Sequence, residues 1–286
     1  MGKLIVIVGE TGSGKSALGL EVARKFNGEI ICADSRTVYR GMDIGTAKPT
    51  NEEMATIPHH LIDVVNPDES FNAAEFKRLA EVAIEAITAK GKTPIMVGGT
   101  GLYVDAVLYN YTFGPPVDLT LRSRYTAMST DELQAEIARQ GLKIPENKMN
   151  RRHLQRTLER GKNDVCKKSQ VRESTLILGI SLSKEVLRMR ISERVDVMIR
   201  QGLIDEARTL FKQYGPQAEA LQTPGYRALY EYIAGTISLD EAKAKFIQND
   251  LRLAKRQRTW FKRNNSIHWL ADPSGAVEIV TTFLSK

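Results

Sequence analysis

Gly9-Glu10-Thr11-Gly12-Ser13-Gly14-Lys15-Ser16 is a G-x-x-x-x-G-K-[ST] loop, a set of residue types and spacings suited to holding phosphate. Main-chain N–H groups in such a loop turn inward, and the helix behind it adds partial positive charge at its N-terminus. Lys15 supplies a point charge for an outer phosphate, and the Ser16 hydroxyl is a ligand for Mg²⁺. The flanks agree. Residues 4–8 read as a buried strand and residues 17–26 as a helix. An incidental glycine-rich turn would not carry both, so the spacing predicts a site for a di- or triphosphate.

The second chemical feature is Asp34. It ends the apolar run 29–33, and in a parallel α/β sheet the carboxyl ends of strands form the ligand crevice. Asp34 and Thr100, which follows the run 93–97 and Gly98-Gly99, should therefore face the phosphate loop. Asp34 could serve as a metal-linked acid or a general base; an Asp-Ser pair after a strand is also a common helix cap. A P-loop kinase needs an acid beside the loop to hold Mg²⁺ through water. The run 93–97 ends without one.

The elements that must position these residues read as α/β through residue 113. Strand patterns at 3–8, 29–33, 60–65 and 93–97 alternate with helical ones, which predicts a parallel sheet covered on both faces. Asn72 reads as a helix cap with Glu75 as its capping-box partner, ahead of an apolar face carrying Phe76, Leu79, Ala80, Ala83, Ile84 and Ile87. The pattern breaks at Phe113-Gly114-Pro115-Pro116, a hinge signal. Residues 114–173 are polar, basic and helical in character, and 175–182 read as another core strand. We therefore expect a P-loop α/β core over 1–113 and 174–286, with a helical C-terminal part, interrupted by an inserted helical subdomain. A last periodic run covers 239–263.

The net charge of +7 is unevenly spread. Residues 151–172 carry +6 and 242–263 carry +7, which leaves the rest of the chain at −6. Concentrated basicity of this kind points to a polyanion, nucleic acid above all. Cys32 and Cys166 are far apart and outside any C-x-x-C, which argues against zinc or redox work. Cys32 reads as a small core residue. No apolar run approaches the roughly 20 residues that span a bilayer, and the first residues lead straight into a strand. A reduced, cytoplasmic setting without membrane contact is expected.

Beyond the P-loop, the chain carries DSRTVYRGMDIGTAKP at 34–49, PHHLID at 58–63, GGTGLY at 98–103 and RRHLQRTLE at 151–159, then PGYR at 224–227 and AKRQRTWFKR at 254–263. In this order, and over nearly the whole length, these segments resemble the tRNA dimethylallyltransferases (tRNA isopentenyltransferases). The resemblance implies that the loop, Gly9 to Ser16, grips the pyrophosphate of dimethylallyl diphosphate and no nucleotide. The acceptor would be the exocyclic amine of adenosine 37, beside the tRNA anticodon. It further implies Asp34 as the base for that amine, Thr100 as an orienting group, and Arg194 with Mg²⁺ on the leaving pyrophosphate. Without the resemblance, Arg194 would read as a helix-surface arginine.

Positions implied to touch the tRNA anticodon stem-loop are Ser35, Arg36 and Thr37; Arg122; Arg152, His153, Leu154, Gln155 and Arg156; Gln222, Gly225, Tyr226 and Arg227; and Lys255, Arg256, Arg258 and Lys262. Trp260 shares a helical face with Leu253 and is expected in the core. The acceptor base should leave its stack to reach the site. Three departures stand out. Glu10 replaces the family's usual Pro, and its carboxylate is expected to point outward, away from the diphosphate. Ser16 replaces the commoner Thr and keeps the hydroxyl. His153 stands where Arg is more usual. The lack of a C-terminal zinc finger points to a bacterial-type enzyme, and with no heptad or obvious apolar patch a monomer is expected. The rival readings are a small-metabolite kinase, a prenyltransferase acting on free adenylates, and a non-catalytic RNA-binding protein. The two basic segments speak against the first two, and intact Lys15, Ser16 and Asp34 against the last.

Overall fold

The computed structural model describes residues 2–114, 118–161, 170–270 and 272–286; Cys166 and the two prolines of the hinge signal lie outside them. The chain forms two compact units, Met1–Leu108 with Gln170–Lys286, and Tyr109–Ser169.

The larger unit is built on a parallel sheet. Its strands are β1 (Leu4–Gly9), β2 (Gly28–Ala33), β3 (His59–His60), β4 (Thr93–Gly98), β5 (Thr175–Ile180) and β6 (His268–Leu270), in the order β3-β2-β4-β1-β5-β6. β1, β2, β4 and β5 are almost wholly buried, which their Val- and Ile-rich runs require of strands covered on both faces. Early helices are α1 (Lys15–Lys25), α2 (Asn51–Thr56), α3 (Ala73–Ala89) and α4 (Gly101–Leu108). Asn72 caps α3 as expected, accepting from the Ala74 and Glu75 amides while Glu75 reaches back.

Two strand expectations change. The run 60–65 does not continue as a strand. Leu61 and Asp63 adopt positive φ, and Val64 and Val65 turn to bond the Val38 carbonyl. The chain there buttresses the loop after β2 in place of extending the sheet. β6 was not expected at all; a strand of three residues is too short for its periodicity to register.

The smaller unit holds α5 (Leu119–Ala127), α6 (Thr130–Arg139) and α7 (Arg151–Arg160) around Tyr125, Leu133, Ile137, Leu154 and Leu158. The larger unit resumes with α8 (Lys184–Arg200), α9 (Leu203–Tyr214), α10 (Pro224–Ile233), α11 (Leu239–Phe261) and α12 (Ala276–Ser285). Helices α8 to α11 and the loop after β2 share a second apolar cluster, with Val38, Tyr39, Met42, Met198, Leu210, Tyr226 and Phe246 at its centre. The long polar loop is thus ordered by a core of its own. Among the described residues no helix is long and apolar enough to cross a membrane.

The paired histidines of PHHLID lie beside Ile30 and Ile31 of β2, and His60 reaches back to Glu29, near the end of the strand away from Asp34. Glu29, 1% exposed, receives Lys92 at 2.9 Å and Lys90 at 3.1 Å, with His60 Nε2 at 2.7 Å. Burial alone would raise this carboxyl, but hydrogen bonds from Lys92, His60 and Lys90 hold it at about 2. The contribution of Glu29 to stability is therefore complete above its ordinary value of 4.5 and is lost as the pH falls through about 2. In urea melts at stepped pH, Glu29→Gln is expected to be the less stable chain above pH ~5, the gap closing as the pH falls toward about 2, because the unfolded carboxyl takes its proton before the native one does. A gap that stayed constant into strong acid would contradict this role.

Candidate active site

The phosphate loop leaves β1 at Gly9 and enters α1 through Gly14, whose φ of +96° suits glycine and strains other residues. Lys15 Nζ donates to the Glu10 carbonyl at 3.3 Å. Burial pushes this ammonium down; Asp34, Glu10 and Asp250 pull it back, and Arg194 lowers it further. Asp34 and Arg194 thus both act on the Lys15 charge. Arg194 rises from α8 to donate to Thr11 Oγ1 at 2.9 Å and to Asp250 Oδ2 at 2.5 Å. One turn earlier, Arg190 donates to the Ser13 carbonyl at 3.4 Å. Arg194 Nε and Ser13 Oγ are buried with no partner among the described residues. Polar atoms buried this way call for a polar ligand, and a phosphate oxygen has the right chemistry.

On the facing side, Asp34 follows β2 and accepts the Arg36 amide at 2.8 Å, a tight turn that fixes its carboxylate. Thr100 Oγ1 accepts the Ser35 amide at 3.0 Å, which ties the ends of β2 and β4 together. Helix α11 completes the enclosure. Asp250, Leu253, Gln257 and Trp260 recur at helical spacing and all line one cavity of about 410 Å³, together with Thr11, Asp34, Thr100 and Arg194. Gln257 Oε1 accepts the Thr11 amide at 2.7 Å, and Trp260 Nε1 donates to Asp105 at 2.9 Å. Toward Met42, Met198, Tyr226 and Phe246 the cavity wall becomes apolar.

Several residues stand elsewhere than the sequence suggested. Glu10 does not point outward: it is 2% exposed and forms a two-pronged ion pair with Arg258, its Oε2 at 2.9 Å from the guanidinium, with Ser181 Oγ donating at 3.3 Å. Its negative charge is neutralised from inside, which outward rotation was meant to achieve. Arg258 is accordingly spent on Glu10 and the Leu182 carbonyl, so it is no free contact for tRNA. Thr37 and Tyr226 are buried, the latter donating to Glu206. Leu154 is wholly buried in the core of the smaller unit. Trp260 and Leu253 share a face, but that face lines the cavity in place of the core.

Other candidates remain at the surface. Arg36, Arg152, His153, Arg156, Gln222, Arg227, Lys255, Arg256 and Lys262 are exposed; Gln155 is bonded to the Tyr125 carbonyl, and Arg122 to Glu159. Gly225 lines the cavity. Ser16 lies in the first turn of α1 and is exposed. Cys32 is core, its thiol pushed up to about 12 by burial. Sequence reasoning missed Arg190, Asp250 and Gln257. Their signal was periodicity: Arg190 and Arg194 are one turn apart, and Asp250 and Gln257 are two.

The family described as IPP transferase matches residues 37–264. The chain is 42% identical over 307 residues to a tRNA dimethylallyltransferase of Staphylococcus epidermidis, covering 99% of this chain and 92% of that one. It is 42% identical over 289 residues to the Geobacillus thermodenitrificans protein of the same name, covering 95% and 91%. Among solved structures, it superposes on a tRNA isopentenylpyrophosphate transferase from Bacillus halodurans with a TM-score of 0.76 at 35% identity, covering 100% and 96% of the two chains. A eukaryotic dimethylallyltransferase acting on tRNA gives 0.79 at 27% identity, covering 94% and 74%.

Proposed function

Since the chain belongs to the IPP transferase family and has tRNA dimethylallyltransferase activity, we propose that the cavity between phosphate loop and α11 is where dimethylallyl diphosphate meets adenosine 37. The observation that carries this reading is the convergence of Thr11, Asp34, Thr100 and Arg194 on one cavity. The loop amides, Lys15 and Arg194 hold the pyrophosphate and stabilise the charge it gains as the allylic C–O bond breaks. Arg190 steadies the loop from behind through Ser13.

Asp34 accepts a hydrogen bond from the exocyclic amine and takes its proton as the new C–N bond forms, which offsets the poor nucleophilicity of an amine conjugated with the purine. Thr100, held by the Ser35 amide, directs its hydroxyl toward the same region. No cluster of three His, Cys, Asp or Glu side chains suited to a metal occurs among the described residues. That fits Mg²⁺, which keeps several waters and binds through one or two protein groups plus substrate phosphates. Ser16 would be the protein group that holds it, and the ion would add positive charge to the leaving pyrophosphate. The exposed cations of α7 in the smaller unit, and separately those of α11 in the larger, are each assigned to tRNA phosphates.

The test is direct. Purified chain, Mg²⁺, dimethylallyl diphosphate and unmodified tRNA are expected to yield one five-carbon unit on the adenosine 3′ of the anticodon, read by mass spectrometry of nucleosides. Equal transfer to free AMP would overturn the tRNA assignment. ATP turnover without prenylation would indicate a kinase.

A further inference from the structure

The second apolar cluster is closed by a carboxylate that the chemistry above does not use. Glu206 lies in the first turn of α9. Its Oε2 accepts the main-chain amides of Asp43 at 2.8 Å and Ile44 at 2.6 Å. Its Oε1 accepts the Gly45 amide at 2.9 Å and the Tyr226 hydroxyl at 2.6 Å. Four donors from the loop and from α10 thus converge on one side chain. Burial and the neighbouring Glu206 charge push the Tyr226 phenol up, so it remains a donor.

Gly45 and Tyr226 both line the reaction cavity, and they touch so closely that a Cβ at Gly45 would stand 2.4 Å from Tyr226 Oη. The far end of the loop has its own fastening. Lys48 Nζ donates to the Tyr39 carbonyl at 2.6 Å, Asp43 at 2.7 Å and Asp63 at 2.5 Å. Lys48 anchors the base of the loop; Glu206 anchors the stretch that forms the wall.

We propose that Glu206 is a positioning residue for prenyl transfer: it holds Gly45 and Tyr226 together as a closed wall, so that the allylic group reacts with the purine amine and not with water. The proposal rests on the reading above. When an allylic diphosphate ionises beside water, the C–O bond to pyrophosphate breaks, a C–O bond to water forms and a proton is released, giving dimethylallyl alcohol and pyrophosphate. Water exclusion suppresses such side reactions. The share of donor lost as alcohol therefore reports on the wall, where a purely structural role would leave it unchanged.

The experiment uses the full chain with tRNA, Mg²⁺ and dimethylallyl diphosphate. Glu206→Gln keeps the shape but presents an amide NH₂ to donors. Single-turnover prenylation is expected to fall about 10-fold to 10²-fold, the scale of a misplaced reacting group. KM for the diphosphate should change little, and the alcohol share should rise. Hydrogen exchange at the amides of 43–45 should quicken. Tyr226→Phe, which keeps the ring, should move rate and alcohol share the same way by less. A native prenylation rate in Glu206→Gln, or a slowed rate with native alcohol share and protected amides, would overturn the proposal. If that variant does not fold, a native alcohol share in Tyr226→Phe would do so. Absence of prenylation by the unaltered chain would count against the proposed function alone, and amide exchange would still decide the role of Glu206.

Discussion

Asp34→Asn is expected to slow prenyl transfer by roughly 10²-fold to 10⁴-fold, the range for a lost general base, while both substrates still bind. Asparagine is the informative choice because its side-chain oxygen can still accept the Arg36 amide, which Asp34 holds at 2.8 Å. The turn after β2 stays in place, and what is lost is the ability to take a proton. Single-turnover assays at saturating tRNA and donor measure the loss, and filter binding measures tRNA affinity. Retained turnover with collapsed tRNA affinity would make Asp34 a recognition residue. Electrostatics give a second reason to expect a chemical effect. Asp34 is the largest influence holding up the Lys15 ammonium against burial, so its charge also bears on the group that receives the pyrophosphate.

The second large effect is expected at Arg258. Replacing it with alanine strands a carboxylate that is 2% exposed within the phosphate loop. Breaking a buried pair from one side costs about 3–5 kcal/mol, and the partial exposure of Arg258 brings the expectation to roughly 2–3 kcal/mol. Affinity for dimethylallyl diphosphate should fall too, since an unopposed negative charge then sits beside the anion. Urea melts and donor titrations should both recover most of the loss when Glu10→Gln is added to Arg258→Ala. Unchanged stability with weakened tRNA binding would mean that Arg258 faces the RNA after all. Arg258 lies in a run of cations that otherwise fits a phosphate-binding surface, so its commitment to Glu10 is a specific claim.

The contrast between these residues explains what the sequence could convey. β1, the loop and α1 were legible because local chemistry dictates each: an apolar strand, glycines at positive φ, a helix start. Asp34 and Thr100 were legible because strand ends in a parallel sheet face one crevice. Leu154 and Tyr226 were misplaced because a resemblance marks a segment without marking which faces of its helix are buried. Gln257 and Asp250 escaped notice because each meets its partner across about 250 and 56 residues of chain, as in Thr11 to Gln257 and Arg194 to Asp250. Glu10 failed for a related reason. A carboxylate near an anion needs neutralising, but only the packing of α11 against the loop decides that an arginine supplies it.

Helix α11 spans 23 residues, about 35 Å at 1.5 Å per residue. Asp250, Gln257 and Trp260 line the cavity along one side, while Lys255 and Lys262 stand in solvent. Successive residues are offset by about 100° around a helix. One codon inserted or deleted between Asp250 and Gln257 would therefore swing every later side chain a quarter-turn or more, carrying Gln257 off the Thr11 amide. The length of this segment is consequently fixed much more tightly than its composition, and divergence here should proceed by exchange of residues and not by their gain or loss.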